Sequence, residues 1–300
     1  MCTQFTALRT AVIDQIAVWL FRAGRRVDRA RLTSLLSTLL RRVGPWLPEH
    51  RVGRANLAAA FPEKSTEERD RILLGTWENL GRFAAEFIHL DRLWDYDRTN
   101  SNSGTHIETT PSTLERLNDI ARRGKPVLIF TGHLGNWELT ALGARAEGLD
   151  LAILYRRPNF SAIADEIINL RRGGMGTLIP SGPKAPLRLY MALRRGQHVA
   201  MLVDQYLQAG VDVIFFGRHT KANPLIAQLA RYHQCPIYGA RSVRLPGDRF
   251  RVELTDAIVL PRDVQGGIDV QATMQVITSI LEGWVREYPE QWLWLHRRWR

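Results

Sequence analysis

The residues with the clearest chemical potential are His133 and Glu138, in the run Gly132-His133-Leu134-Gly135-Asn136-Trp137-Glu138. A carboxylate on one imidazole nitrogen fixes the tautomer and makes the other nitrogen a better base. That combination suits proton removal from a hydroxyl. The spacing constrains how the two meet. On one continuous helix, positions i and i+5 lie roughly 140° apart and face different sides. His133 must therefore stand on a turn while Glu138 rides the first turn of a helix, with Gly132 and Gly135 supplying conformational freedom. The competing reading is a loop histidine followed by a glutamate that only caps the helix N-terminus.

The neighbouring elements favour a site here. Val127-Leu128-Ile129-Phe130 is a continuous apolar run that predicts a buried strand, and helical periodicity follows over 136–147. In α/β sheets, ligands collect at the carboxyl ends of strands. Further apolar runs at 151–155, 177–179 and 199–203 alternate with helical stretches at 161–172 and 184–195. The alternation predicts an α/β fold with a mixed, mostly parallel central sheet flanked by helices. Residues 211–216 add a strand. Residues 237–244 and 249–254 form a hairpin through Pro246-Gly247-Asp248, and a helix follows at about 270–287. Gly173-Gly174-Met175-Gly176 reads as a helix stop.

The N-terminal part is helical. Val12, Ile16, Trp19, Leu20 and Ala23 recur at helical spacing beside Arg22, Arg25 and Arg26, which suits a helix lying in a membrane interface. A second helix is expected over 32–43, broken by Gly44-Pro45-Trp46-Leu47-Pro48. Ser65 and Glu68 form a capping box opening a long helix with the stripe Leu73, Trp77, Leu80, Ala84 and Phe87. Glu78 and Glu86 fall off that stripe, and Glu78 reads as solvated. Residues 98–111 read as a loop around a short strand at 106–108. The domain reading is a membrane-associating helical region, 1–50, followed by an α/β domain, 51–300.

The chain carries 41 basic and 30 acidic residues, net +11, and all but four of its cations are arginine. Such a protein seeks a polyanion, and arginine suits bidentate phosphate contacts. Residues 1–60 hold ten arginines against three acids, and the C-terminal His296-Arg297-Arg298-Trp299-Arg300 adds three more. Two cysteines, Cys2 and Cys235, exclude a disulfide framework, and Cys235 reads as structural. No apolar run is long enough for a standard transmembrane helix. No Gly-x-Ser-x-Gly elbow, phosphate-binding glycine loop or zinc-ligand spacing occurs. The chemistry therefore reads as base catalysis without covalent nucleophile or metal. No helix-turn-helix, RNA-recognition or zinc-finger signature supports a nucleic-acid partner.

The run His133 to Glu138 resembles the His-x4-Asp/Glu signature of glycerolipid acyltransferases, and most closely the late acyltransferases of lipid A biosynthesis, the lauroyl/myristoyl transferase family. Other blocks agree in order and spacing. They are Arg54-Ala55-Asn56-Leu57 through Glu63, Trp77-Glu78-Asn79-Leu80-Gly81-Arg82 through Glu86, Tyr155-Arg156-Arg157-Pro158, Val203-Asp204-Gln205, Phe215-Phe216-Gly217, and 289–298. The likeness spans about residues 50–300.

The resemblance implies transfer of a fatty acyl chain from acyl carrier protein to a hydroxyl of a lipid A precursor. The alternative is an acceptor such as a phosphatidylinositol mannoside. His133 would be the general base and Glu138 its orienting partner. Arg172, with Arg171 as the neighbouring alternative, resembles a family arginine needed for activity and would bind phosphate or support the oxyanion. Asp204 resembles the family aspartate and would position Arg172 or the acceptor. Arg156, Arg157, Arg218, Lys221, Arg297 and Arg298 are headgroup candidates, and Arg22, Arg25 and Arg26 join Arg297 and Arg298 as membrane contacts. No cofactor is implied. The partners would be acidic acyl carrier protein, a phosphorylated glycolipid and an anionic membrane surface, at the cytoplasmic face of the inner membrane.

Overall fold

A computed structural model describes residue 15 and residues 17–96, 106–157 and 161–299. Val12, Ile16, the 101–104 loop and Pro158 lie outside the described residues. The described residues begin with α1 (residues 17–24), α2 (Arg29–Val43), α3 (Pro48–Ala60) and α4 (Thr66–Ile88). Then come β1 (Ile107–Thr109), α5 (Pro111–Arg123), β2 (Leu128–Thr131), α6 (Glu138–Ala146), β3 (Leu151–Tyr155) and α7 (Ser161–Gly174). The second half holds β4 (Thr177–Pro180), α8 (Ala185–Arg194), β5 (His198–Leu202), β6 (Tyr206–Phe215) and β7 (Arg218–Ala222). It ends with α9 (Leu225–His233), β8 (Ile237–Leu245), β9 (Arg249–Leu254) and α10 (Val270–Glu287).

Seven strands form the central sheet in the order β1-β9-β8-β2-β5-β3-β4. Every neighbouring pair is parallel except the β8–β9 hairpin. β6 and β7 form a separate antiparallel pair. The expected strand at 211–216 thus starts earlier and stands off the main sheet. Helices α3 and α5, and strand β7, have no counterpart in the sequence reading.

Strand alternation explains how the sheet buries both faces. Leu128 and Phe130 of β2 enter the core against α8, α9 and α10, where Phe130 stacks on Trp284 at 5.6 Å. Val127 and Ile129 point to the opposite face, packed with Leu117 and Ile120 of α5. Burying one such aromatic or aliphatic side chain contributes about 1.5–3 kcal/mol. The capping box at Ser65 forms as expected: Glu68 N donates to Ser65 Oγ at 3.2 Å, and Ser65 N donates to Glu68 Oε2 at 2.7 Å.

α2 buries Leu32 together with the small polar residues Thr33 and Ser37, whereas Leu35 and Leu39, one turn apart, are exposed. α4 permits the close approach, because any side chain at Gly81 would collide with the Leu36 carbonyl. Among the described residues no helix is long and apolar enough to cross a membrane.

Candidate active site

β2 and β5 are adjacent and parallel, with Thr131 opposite Leu202 and Val203 N donating to Thr131 O at 3.1 Å. Two residues beyond that pair, both chains deliver their chemistry at the same level: His133 from β2 and Asp204 from β5. The His133 backbone N–H donates to Asp204 Oδ2 at 2.7 Å, and the ring Nδ1 lies 2.8 Å from Oδ1. Trp292 Nε1 donates to Oδ2 at 2.8 Å. Asp204 is 1% exposed. Burial pushes its carboxyl up, but His133, with His296 nearby, outweighs that and holds it well below the usual carboxylate range. An ionised Asp204 only accepts hydrogen bonds, so Nδ1 carries a proton, and in the neutral ring Nε2 is the nitrogen with the lone pair.

The turn between β2 and α6 has the form that the glycines suggested. Gly135 sits at φ +57°, and a side chain there would run into the Ser242 carbonyl oxygen. A side chain at Gly132 would press on Leu281 and on the Asp204 carboxylate. Gly135 N donates to Gln291 O at 3.0 Å and Leu293 N donates to His133 O at 3.1 Å, so the C-terminal segment fastens the turn from outside.

Glu138 begins α6, as expected, but it is not the residue that holds His133. It is buried and gives both oxygens to Arg171 of α7: Arg171 Nε donates to Oε2 at 3.0 Å, and Nη2 reaches Oε1. The physical reason is the helix geometry. Glu138 sits where its side chain crosses to α7, while β5 brings Asp204 to the imidazole first. Trp137 lies between the two pairs, edge-on to His133 at 5.0 Å and donating to Glu138 Oε1 at 3.2 Å. Of the two neighbouring arginines, Arg171 faces the site and Arg172 faces solvent. Asp204 contacts His133 and Trp292, not Arg172.

His133, Trp137, Glu138 and Arg171 line one cavity of about 490 Å³. Its remaining wall is largely aliphatic, including Ala141, Ile153, Met175, Ala200 and Met201, and Arg156 and Arg157 also line it. Arg157 is exposed and lies 3.3 Å from Asp165. The cavity thus joins a base, a buried carboxylate–guanidinium pair and an apolar chamber.

Several expected surface cations have other duties. Arg298 is 2% exposed, not a headgroup contact: Nη1 donates to Thr220 Oγ1 at 3.0 Å and to Lys221 O at 2.8 Å, over the Phe215 ring. Burial pushes its guanidinium down to about 10. Arg25 is half-buried and tied to Asp91 and the Ile88 carbonyl, and Arg22 pairs with Glu166 of α7. Arg26 and Arg297 are exposed. Cys235 is buried, and burial pushes its thiol up to about 11, consistent with a packing role.

Sequence reasoning missed a polar cluster behind the His133 turn. Glu86, grouped with Glu78 off the helix stripe, is 1% exposed and pairs with Arg244 of β8. Asn79, Asn136 and Gln291 join it. Asn56 of α3 donates to the Trp294 and His296 carbonyls, both at 2.7 Å. The signal was present in the blocks containing Asn56, Asn79, Glu86 and 289–298, but nothing in their spacing announced that they converge.

The family model described as bacterial lipid A biosynthesis acyltransferase matches residues 4–300, nearly the whole chain. No match is found among curated proteins.

Proposed function

Because the chain belongs to the bacterial lipid A biosynthesis acyltransferases, we propose that it transfers a fatty acyl group from acyl carrier protein to a hydroxyl of a phosphorylated lipid A precursor. The observation that carries the reading is the His133–Asp204 pair at the wall of a largely aliphatic cavity. Asp204 fixes the Nδ1–H tautomer, and Nε2 of His133 removes the acceptor hydroxyl proton. The alkoxide oxygen attacks the thioester carbonyl carbon and a tetrahedral oxyanion forms. Collapse breaks the carbon–sulfur bond. The leaving thiolate then takes the proton that His133 carries. Donors aimed at the developing oxyanion supply much of the stabilisation in such steps. Arg171, held by Glu138, is a cationic donor that lines this cavity beside His133. The apolar wall accepts the acyl chain, and Arg156 and Arg157 meet acidic groups of the carrier protein or the phosphorylated acceptor.

The same reading seats the chain on an anionic membrane, at the cytoplasmic face of the inner membrane. Its support is the outward leucines of α2 together with Trp19 and Trp46, the latter 83% exposed, among arginines.

The test is a mass-spectrometric assay with purified protein, a panel of acyl carrier protein thioesters and tetra-acylated lipid A precursor. The expected result is a mass gain of one acyl group that His133→Ala abolishes. No gain with folded protein and supplied lipid would overturn the assigned acceptor and donor.

A further inference from the structure

We infer that the buried Glu86–Arg244 pair is a positioning device for the His133 turn, acting through Asn136 and Gln291. The pair joins α4 to β8: Arg244 Nη2 donates to Glu86 Oε2 at 3.0 Å, and Nη1 reaches Oε1. Both partners are nearly inaccessible, with side chains 9% and 2% exposed. The further side-chain hydrogen bonds of the pair lead toward the turn. Asn136 Nδ2 donates to Glu86 Oε2 at 2.8 Å, and Asn136 itself is fully buried, three residues from His133. Its Oδ1 accepts from Glu138 N at 3.3 Å, at the start of α6. On the other side Arg244 Nε donates to Asn79 Oδ1 at 3.0 Å, and Asn79 Nδ2 donates to Gln291 O at 3.1 Å. Gln291 O also accepts from Gly135 N. The Gln291 side chain is locked to the Arg244 backbone at 2.8 and 2.9 Å. The next residue, Trp292, holds Asp204.

One ion pair therefore reaches Gly135, Asn136 and the Glu138 amide within the turn and, through the backbone of 291–292, the carboxylate that orients His133. A buried ion pair is a weak source of net stability, because desolvation offsets its attraction. Its value here lies in geometry: the guanidinium is a rigid planar fork, and each of its bonds fixes a direction. Neither side chain is among the residues lining the cavity beside His133, so both act through other groups. The inference rests on His133 being the base proposed above.

Two variants test it. Glu86→Gln keeps the shape but removes the charge and the bidentate pair. The double variant Glu86→Met with Arg244→Met replaces both partners by apolar groups, which keeps the fold when a single removal leaves a buried charge. Amide hydrogen exchange of the full chain is read over 132–138, with β2 and α10 as internal references, alongside steady-state acyl transfer. The expected result is faster exchange over 132–138, roughly tenfold or more, with unchanged references. Turnover should fall about 10–100-fold at little change in KM, as for a misplaced catalytic group. Unchanged exchange at 132–138 in a folded variant would overturn the inference. So would loss of protection that is equal in the references, which would mark the pair as a general fold support. The exchange measurement stands even if the wild type transfers no acyl group, a result that would count against the proposed function alone.

Discussion

Asp204 holds His133 at two points, the backbone N–H at 2.7 Å and the ring Nδ1 at 2.8 Å. One carboxylate thereby fixes both where the imidazole is rooted and which way it faces. Trp292 adds a third bond to the same carboxylate and keeps it from rotating. Replacing His133 by Ala is expected to lower turnover by about 10²–10⁴-fold, the usual contribution of a general base. Asp204→Asn preserves shape but admits the wrong tautomer, and a comparable loss is expected. Circular dichroism must show both variants folded. Near-normal turnover in folded Asp204→Asn would remove the tautomer argument.

Glu138 and Arg171 form a nearly buried pair, and the two are expected to behave as a unit. Arg171→Met strands a buried carboxylate, which costs about 3–5 kcal/mol. Arg172→Ala touches an exposed side chain and is expected to stay within about 0.5 kcal/mol. Urea unfolding midpoints separate the two. Activity should follow the same order, with Arg171→Met strongly impaired and Arg172→Ala close to wild type. A larger effect at Arg172 would reverse the assignment of the functional arginine.

The strand-to-helix placement of His133 and the α/β architecture were legible because they depend on short-range pattern. β2 is apolar on both faces, and two glycines flank His133. The partner of His133 was not legible. Asp204 follows a strand 71 residues away, and only the sheet order, with β5 inserted beside β2 ahead of β3 and β4, makes them neighbours. Glu86 and Arg244 are separated by 158 residues, and off-stripe position on an amphipathic helix gave no hint of burial at a helix–sheet junction. The helix expected over 32–43 is present as α2, but the sequence did not tell which of its leucines would be covered: Leu32 is buried, whereas Leu35 and Leu39 face outward.

Buried imidazoles set the acid side of stability. Burial lowers His50, His89, His198 and His296, and His50 and His198 accept hydrogen bonds from Trp77 Nε1 and Val127 N that protonation would break. A histidine depressed in the fold binds a proton more readily when unfolded. Stability is therefore complete above the unfolded value, about 6.5, and declines as pH falls below it. Asp204 is also depressed in the fold, so its contribution is present above the ordinary aspartate value near 3.9 and is lost below it. Urea unfolding across pH 3–8 should show a decline beginning near pH 6.5 and a steeper one below about 4. Asp204→Asn should keep the first limb and flatten the second. A wild-type midpoint that rises on acidification from pH 7 to 5 would contradict this sign.

The exposed leucines of α2 give the membrane proposal its most direct test. Leu35 and Leu39 are 62% and 48% exposed, while Leu32, Thr33 and Ser37 of the same helix are buried against the rest of the chain. Inserting a leucine side chain into an apolar interface contributes about 1.5–3 kcal/mol. Leu35→Ser with Leu39→Ser should therefore lower partitioning onto anionic vesicles at least tenfold, with unchanged unfolding midpoints. The arginines add about 1 kcal/mol each near an anionic surface, and that part should weaken with salt. Co-sedimentation with vesicles of mixed anionic and neutral phospholipid, at low and high salt, reads both terms. If the double serine variant bound as tightly as wild type at high salt, α2 would not be the inserted face, and the weight of the interaction would move to Trp19 and Leu20 of α1.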